Sequence, residues 1–110
     1  MILHICDSVA WDEAQKTGEY HPPSLDVEGF IHASLPDQVL WVANRFYAGR
    51  NDLLLLWIDP QRVRPSIRYE PAEGTLFPHI YGSLNLDAVQ AVRPFLPDAD
   101  GVFRQPPAII

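Results

Sequence analysis

Three histidines, His4, His32 and His79, lie in short segments that are otherwise apolar. An imidazole side chain is well suited to proton transfer near neutral pH, because its charge changes in that range. A buried imidazole also needs a hydrogen-bond partner, since an unpaired buried polar group costs about 1–3 kcal/mol. Taken singly, each histidine is also compatible with a structural role. Together they predict one polar pocket that all three line.

Neighbouring residues support such a pocket, because side chains alternate between the two faces of a strand. The residues predicted to share a face are His4 with Cys6, His32 with Phe30 and Ser34, and His79 with Tyr81. A wall that carries polar groups from several strands is what a small-ligand cleft requires.

Two other chemistries are disfavoured by the spacing of the candidate residues. Zinc ligands could come only from distant strands, at His4, Cys6, His32 and His79. Because neither a CxxC nor an HxxxH pair occurs, we predict no tightly bound metal. Ser34 lies at an expected helix cap and no Gly-x-Ser-x-Gly elbow occurs, so a serine hydrolase is not indicated.

The elements that position these residues are predicted to be two helices and five or six strands. The first helix begins at Ser8 and is stopped by Gly18. The second follows Ser34-Leu35-Pro36-Asp37, a variant of the capping box. Residues 53–58 are apolar without alternation, which is typical of a central strand covered on both faces. The remaining strands are expected at 2–6, 29–33, 66–69, 79–82 and 90–95, with a loop at 19–28. The predicted fold class is therefore α+β, with a mixed, mostly antiparallel sheet.

The composition is that of one small globular domain. The chain has 110 residues, of which 47% are hydrophobic, a usual size and mixture for one core. We expect an α+β domain over residues 1–96 and an extended, Pro-rich tail over 97–110. A single cysteine, no signal-peptide pattern and no membrane-spanning run predict a cytoplasmic protein. The net charge of −6 opposes binding to duplex nucleic acid, and the oligomeric state is left open.

Two longer motifs resemble a known family. Residues 28–34 are EGFIHAS and residues 76–84 are LFPHIYGSL. Together with the opening LHI and the segment GEY at 18–20, they resemble an uncharacterised bacterial family, domain of unknown function 952, over about residues 2–95. That family is distantly similar to the ADP-ribosyltransferase fold, and the pattern it most resembles there is that of the RNA 2′-phosphotransferases. Leu3 stands where the phosphotransferases have an arginine, and Glu70 is the positional candidate for a transferase glutamate.

What the resemblance implies is a binding cleft more than a defined activity. The implied catalytic residues are His32 and His79. The implied ligand-binding residues are His4, Tyr20, Phe30, Ser34, Tyr81 and Gly82. The favoured hypothesis is a protein that binds a nucleotide-like or small metabolite ligand without established turnover. The alternatives are a transferase of the ADP-ribosyltransferase or phosphotransferase type acting on NAD or a related nucleotide, and a structural or interaction protein.

Overall fold

A computed structural model describes residues 1–107 of the chain. The helices are α1 (Ser8–Thr17), α2 (Pro23–Val27) and α3 (Val39–Phe46), with a 3-10 turn at Leu86–Ala88. The strands are β1 (Ile2–Asp7), β2 (Glu19–Tyr20), β3 (Ile31–His32), β4 (Leu53–Ile58), β5 (Ser66–Ala72), β6 (Thr75–Tyr81), β7 (Leu84–Asn85) and β8 (Val89–Phe95). The α+β class is confirmed. No helix among these residues is long and apolar enough to span a membrane.

The strands form three antiparallel sheets where one mixed sheet was expected. Their orders are β1-β4-β8, β3-β6-β5 and β2-β7. The two three-stranded sheets meet at a single bridge, where Leu3 and Ser34 exchange backbone hydrogen bonds of 2.8 and 2.7 Å. Six strands therefore lie side by side, but the array is split between β1 and β3. The split follows from the shortness of β3, which offers only two residues for pairing.

Strand β4 is central in its sheet, as its apolar run predicts. It pairs with β1 on one side and with β8 on the other. Leu53 and Leu55 pack in a core cluster with residues of α3, whereas Leu56 and Ile58 pack in a second cluster on the opposite face. Each of these four side chains is at most 2% exposed. A strand covered on both faces needs no polar alternation, which explains the sequence of β4.

Helix α1 begins and ends as expected. The carboxylate of Asp7 accepts a 2.7 Å bond from the Ala10 N–H, which caps the first turn. At the other end Gly18 has φ 93°, and its N–H donates to Ala14. A left-handed residue of this kind is a common helix stop.

Two local predictions are wrong. Ser34 does not cap α3, because its backbone pairs with Leu3 and the helix begins later, at Val39. The predicted loop at 19–28 contains β2 and the short helix α2. Both elements are too short to leave a periodic pattern in the sequence.

The segment after β8 packs on the domain. Residues 97–107 contain no helix or strand, yet Phe103 is 2% exposed and its ring lies 4.7 Å from that of Phe95. Asn44 exchanges two 2.8 Å hydrogen bonds with the Phe103 backbone. The domain boundary at residue 96 stays a prediction, and residues 108–110 of the expected tail lie outside the described residues.

Candidate functional site

The candidate site lies on one face of the β3-β6-β5 sheet. His32 and His79 are directly paired across β3 and β6, with ring centroids 5.6 Å apart. Their neighbours Ile31 and Ile80 point to the opposite face and are fully buried in the core. Helix α3 covers the corresponding face of the β1-β4-β8 sheet. On the β3-β6-β5 sheet no helix among the described residues covers this face, and a cleft results.

Phe30 organises the histidines. Its ring stacks on His79 with centroids 4.0 Å apart and an interplanar angle of 16°. It meets His32 edge-on at 4.8 Å and lies 5.4 Å from Tyr81. Aromatic contacts at these separations stabilise a fixed arrangement of rings. The prediction that Phe30 shares a face with His32 is thus confirmed.

Each of the two histidines is held by a carboxylate. His32 Nε2 donates to Glu28 at 3.0 Å, and His79 Nδ1 donates to Glu70 at 2.8 Å. Because a carboxylate only accepts, each bond places a proton on the ring nitrogen that faces the carboxylate. The other nitrogens, Nδ1 of His32 and Nε2 of His79, have no hydrogen-bond partner within residues 1–107. They are the atoms available to a ligand.

Glu70 also joins His79 to Tyr81. The Tyr81 hydroxyl donates to the same Glu70 oxygen at 2.5 Å. This bond and the one from His79 lower the pKa of Glu70, and the Glu70 carboxylate raises the pKa of Tyr81. The Arg68 guanidinium lies over the Tyr81 ring, 4.5 Å from its centroid. The result is a hydrogen-bonded group of Tyr81, Glu70 and His79 on the same face of the sheet as the cleft.

The cleft has a volume of about 670 Å³, within the usual range for small-molecule sites. Its second wall is formed by Val42 in the middle of α3, Phe46 at its end and Tyr47 just beyond it. The lining residues are Glu28, Phe30, His32, Ala33, Ser34, Val42, Phe46, Tyr47, Pro71, Ala72, Glu73, Phe77 and His79. Of the predicted site residues, Phe30, His32, Ser34 and His79 are therefore brought together. Their roles in binding or catalysis stay predictions.

His4 does not line the cleft, so the expectation of three converging histidines is wrong for this residue. Leu3 lies directly opposite Ser34 and shares its face, which turns His4 to the other face. There His4 is 8% exposed. Its Nδ1 donates to the His32 carbonyl at 2.5 Å, and its Nε2 accepts from the Tyr20 hydroxyl at 2.7 Å.

Burial determines the charge state of this buried pair. It lowers the pKa of His4 to about 4 and raises the pKa of Tyr20. Cys6 lies on the same face, and burial raises the pKa of its thiol to about 12. His4 is thus neutral and fully bonded, and Cys6 is an inert thiol at neutral pH.

Tyr81 and Gly82 lie next to the cleft and do not line it. Gly82 has a packing reason for being glycine, because an added Cβ would lie 2.8 Å from the Cβ of Pro65. Within residues 1–107 no group of three His, Cys, Asp or Glu side chains could hold a metal ion. His4 and Cys6 are separated from His32 and His79 by the sheet, so these four residues do not form a zinc site.

Several residues that line the cleft were not predicted from the sequence. Glu28 has one local signal, since it precedes His32 by four positions. Phe46 and Tyr47 belong to the apolar stripe of α3, which is indistinguishable from a core-facing stripe. Glu73 lies in the β5–β6 turn and has no pattern of its own.

The comparisons with known proteins agree with this fold. The crystal structure of protein CC0527 from Caulobacter crescentus superimposes with a TM-score of 0.86 at 28% identity, covering 94% of this chain and 92% of that one. The solution NMR structure of CC0527 gives a TM-score of 0.81 at 30% identity, covering 94% and 90%. No curated protein matches the chain. A family model described as protein of unknown function (DUF952) matches residues 5–92, and the chain therefore belongs to this family.

Proposed function

We propose that this chain binds a small metabolite with a planar ring, of the nucleoside or nucleotide kind, in the cleft beside β3 and β6. The observation that carries the proposal is the wall on which Phe30 stacks on His79 within a cavity of about 670 Å³. Aromatic rings bind planar ligands by stacking, and a few polar groups fix their orientation.

The polar groups are suitably placed for such a ligand. Nδ1 of His32 and Nε2 of His79 are unpartnered within the described chain, and Ser34 adds a hydroxyl to the lining. These atoms can donate to or accept from the edge of a base. No lysine or arginine lines the cleft, so any phosphates would lie outside it and the ring would lie inside.

An NMR titration with nucleosides, nucleotides and NAD tests this proposal. We expect amide shifts at Phe30, His32 and His79, and weaker binding after Phe30→Leu, which keeps apolar bulk but removes the ring face. The matched control is Tyr69→Leu, because Tyr69 is 50% exposed and lies on the opposite face of β5. Equal binding by the two variants, or shifts that avoid the cleft, would refute the proposal.

A transferase of the ADP-ribosyltransferase type is the second candidate. The observation that favours it is the Glu70 oxygen shared by His79 and Tyr81, because a carboxylate that orients an imidazole is a common arrangement in acid–base catalysis. Incubation with NAD and measurement of released nicotinamide tests it. Activity is expected to fall at least about tenfold in Glu70→Gln, and no release from the unmodified protein would exclude NAD as the substrate.

We also propose that the fold is related to that of the ADP-ribosyltransferases and that the protein is cytoplasmic. The split between the sheets, with a histidine on β1 and another on β3, supports the fold assignment. The unpaired, buried Cys6 supports a reducing compartment, since small proteins of oxidising compartments normally use disulfides.

A further inference from the structure

The charged residues of the cleft wall indicate what kind of ring it accepts. Two of the lining residues are acidic, Glu28 and Glu73, and none is lysine or arginine. Apart from its two imidazoles, the lining thus carries two negative charges and no positive one. We infer that the ligand is a planar ring that carries a positive charge, an inference that rests on the proposed function and narrows it.

Glu73 is the more informative of the two glutamates. It forms a two-residue turn with Gly74 between β5 and β6, and their φ angles are 52° and 81°. A hairpin turn with both φ angles positive favours asparagine, aspartate or glycine, so the backbone does not select glutamate here. Glu73 is exposed, has no hydrogen bond or ion pair to residues 1–107, and lines the cleft. The turn gives no reason for a glutamate at position 73, whereas a negative charge that faces a ligand does.

Two of the three basic residues near the cleft are accompanied by a carboxylate of their own. Three guanidinium groups lie near it without lining it, at Arg45, Arg50 and Arg68. Arg50 forms an ion pair with Asp52 at 2.7 Å. Arg68 shares the face of its β6 partner His79 and lies over Tyr81, where its charge is accompanied by the Glu70 carboxylate.

The aromatic residues act in the same direction. Four aromatic rings line the cleft, those of Phe30, Phe46, Tyr47 and Phe77. Two of them, Phe46 and Tyr47, already have a guanidinium over one face, so the rings of Phe30 and Phe77 carry this part of the inference. The face of such a ring is electron-rich and attracts cations, and carboxylates at the rim add to that attraction. An anionic ring of the same shape would be repelled by the same carboxylates and ring faces.

Three probes of nearly the same shape isolate the charge. 1-Methylnicotinamide is a cation, 3-methylbenzamide is its neutral counterpart, and 3-methylbenzoate is an anion. Titrations by calorimetry or NMR at low salt and about pH 8, where a free imidazole is neutral, give their dissociation constants. We expect the cation to bind at least about tenfold more tightly than the neutral ring, and the anion to bind most weakly.

Two variants and a control assign this selectivity to the cleft. Glu73→Asn should reduce the cation-to-neutral ratio by about threefold or more, while the melting temperature of the free protein rises because asparagine suits the turn. Glu28→Gln should also reduce the ratio. Glu13→Gln changes the net charge equally on the exposed surface of α1 and should leave the ratio unchanged.

The outcomes separate the inference from the proposed function. Equal binding of the cation and the neutral ring, tighter binding of the anion, or an unchanged ratio in Glu73→Asn would overturn the inference and leave a ring-binding cleft. Failure of all three probes while a nucleoside binds would also overturn it. If neither the probes nor any nucleoside, nucleotide or NAD binds, both the inference and the proposed function are wrong.

Discussion

The buried His4 makes the stability of this protein depend on pH between two values, which are the pKa of His4 in the unfolded chain and its pKa in the folded chain. Its ring is 8% exposed, its Nδ1 donates to the His32 carbonyl and its Nε2 accepts from Tyr20. Burial lowers its pKa from 6.5 to about 4. Between these two values the unfolded chain takes up a proton at His4 that the folded chain does not. Acid therefore favours unfolding through this group.

The magnitude follows from the size of that pKa change. A histidine pKa lowered from 6.5 to about 4 corresponds to roughly 3 kcal/mol of folding free energy. This contribution is complete above about pH 6.5 and is lost progressively as the pH falls toward 4. Below that range the group has no further effect, since both states are then protonated.

Urea unfolding of the wild type and of His4→Gln, from pH 7 to pH 4, measures this contribution. The substituted glutamine keeps a donor and an acceptor but cannot titrate, and the other titrating groups cancel in the difference between the proteins. We expect the stability advantage of the wild type to shrink by roughly 3 kcal/mol across the range. NMR of the imidazole signals provides a second measurement if the variant does not fold. An advantage that is independent of pH, or a His4 signal that titrates near pH 6.5, would refute the reasoning.

Three further predictions concern packing and metal content. Leu55→Ala should lower the free energy of unfolding by about 2–5 kcal/mol because Leu55 is fully buried in β4. The control Leu96→Ala, at a 58% exposed position, should change it little, and similar losses in the two variants would contradict a central β4. Gly82→Ala should destabilise by about 1–3 kcal/mol through the contact with Pro65, and an unchanged melting temperature would show that the loop relaxes freely. Elemental analysis of untagged protein should find well under one zinc per chain, and a stoichiometric zinc lost in His32→Ala would contradict this prediction.

The parts of the fold that leave a repeating pattern were predictable. The unbroken apolar run of β4 identified a strand buried on both faces, and Gly18 marked the end of α1. Phe30 and His32 were placed on one face by strand alternation alone. Local geometry determines each of these features, so the sequence carries them directly.

The parts that depend on pairing between distant strands were not predictable. Whether His4 faces the cleft or the core depends on whether Leu3 or His4 lies opposite Ser34, and a one-residue shift reverses the answer. Glu70 reaches His79 only through the register of the β5–β6 hairpin. A single sequence carries no strong signal for either register.

We propose above all that the cleft between α3 and the β3-β6-β5 sheet holds a planar ring. A crystal soaked with the tightest-binding ring of the nucleoside and pyridinium series tests this most directly. We expect electron density for the ring against Phe30, with polar atoms within hydrogen-bond distance of Nδ1 of His32 or Nε2 of His79. Density for the ring at another site, with the cleft occupied only by water, would contradict it.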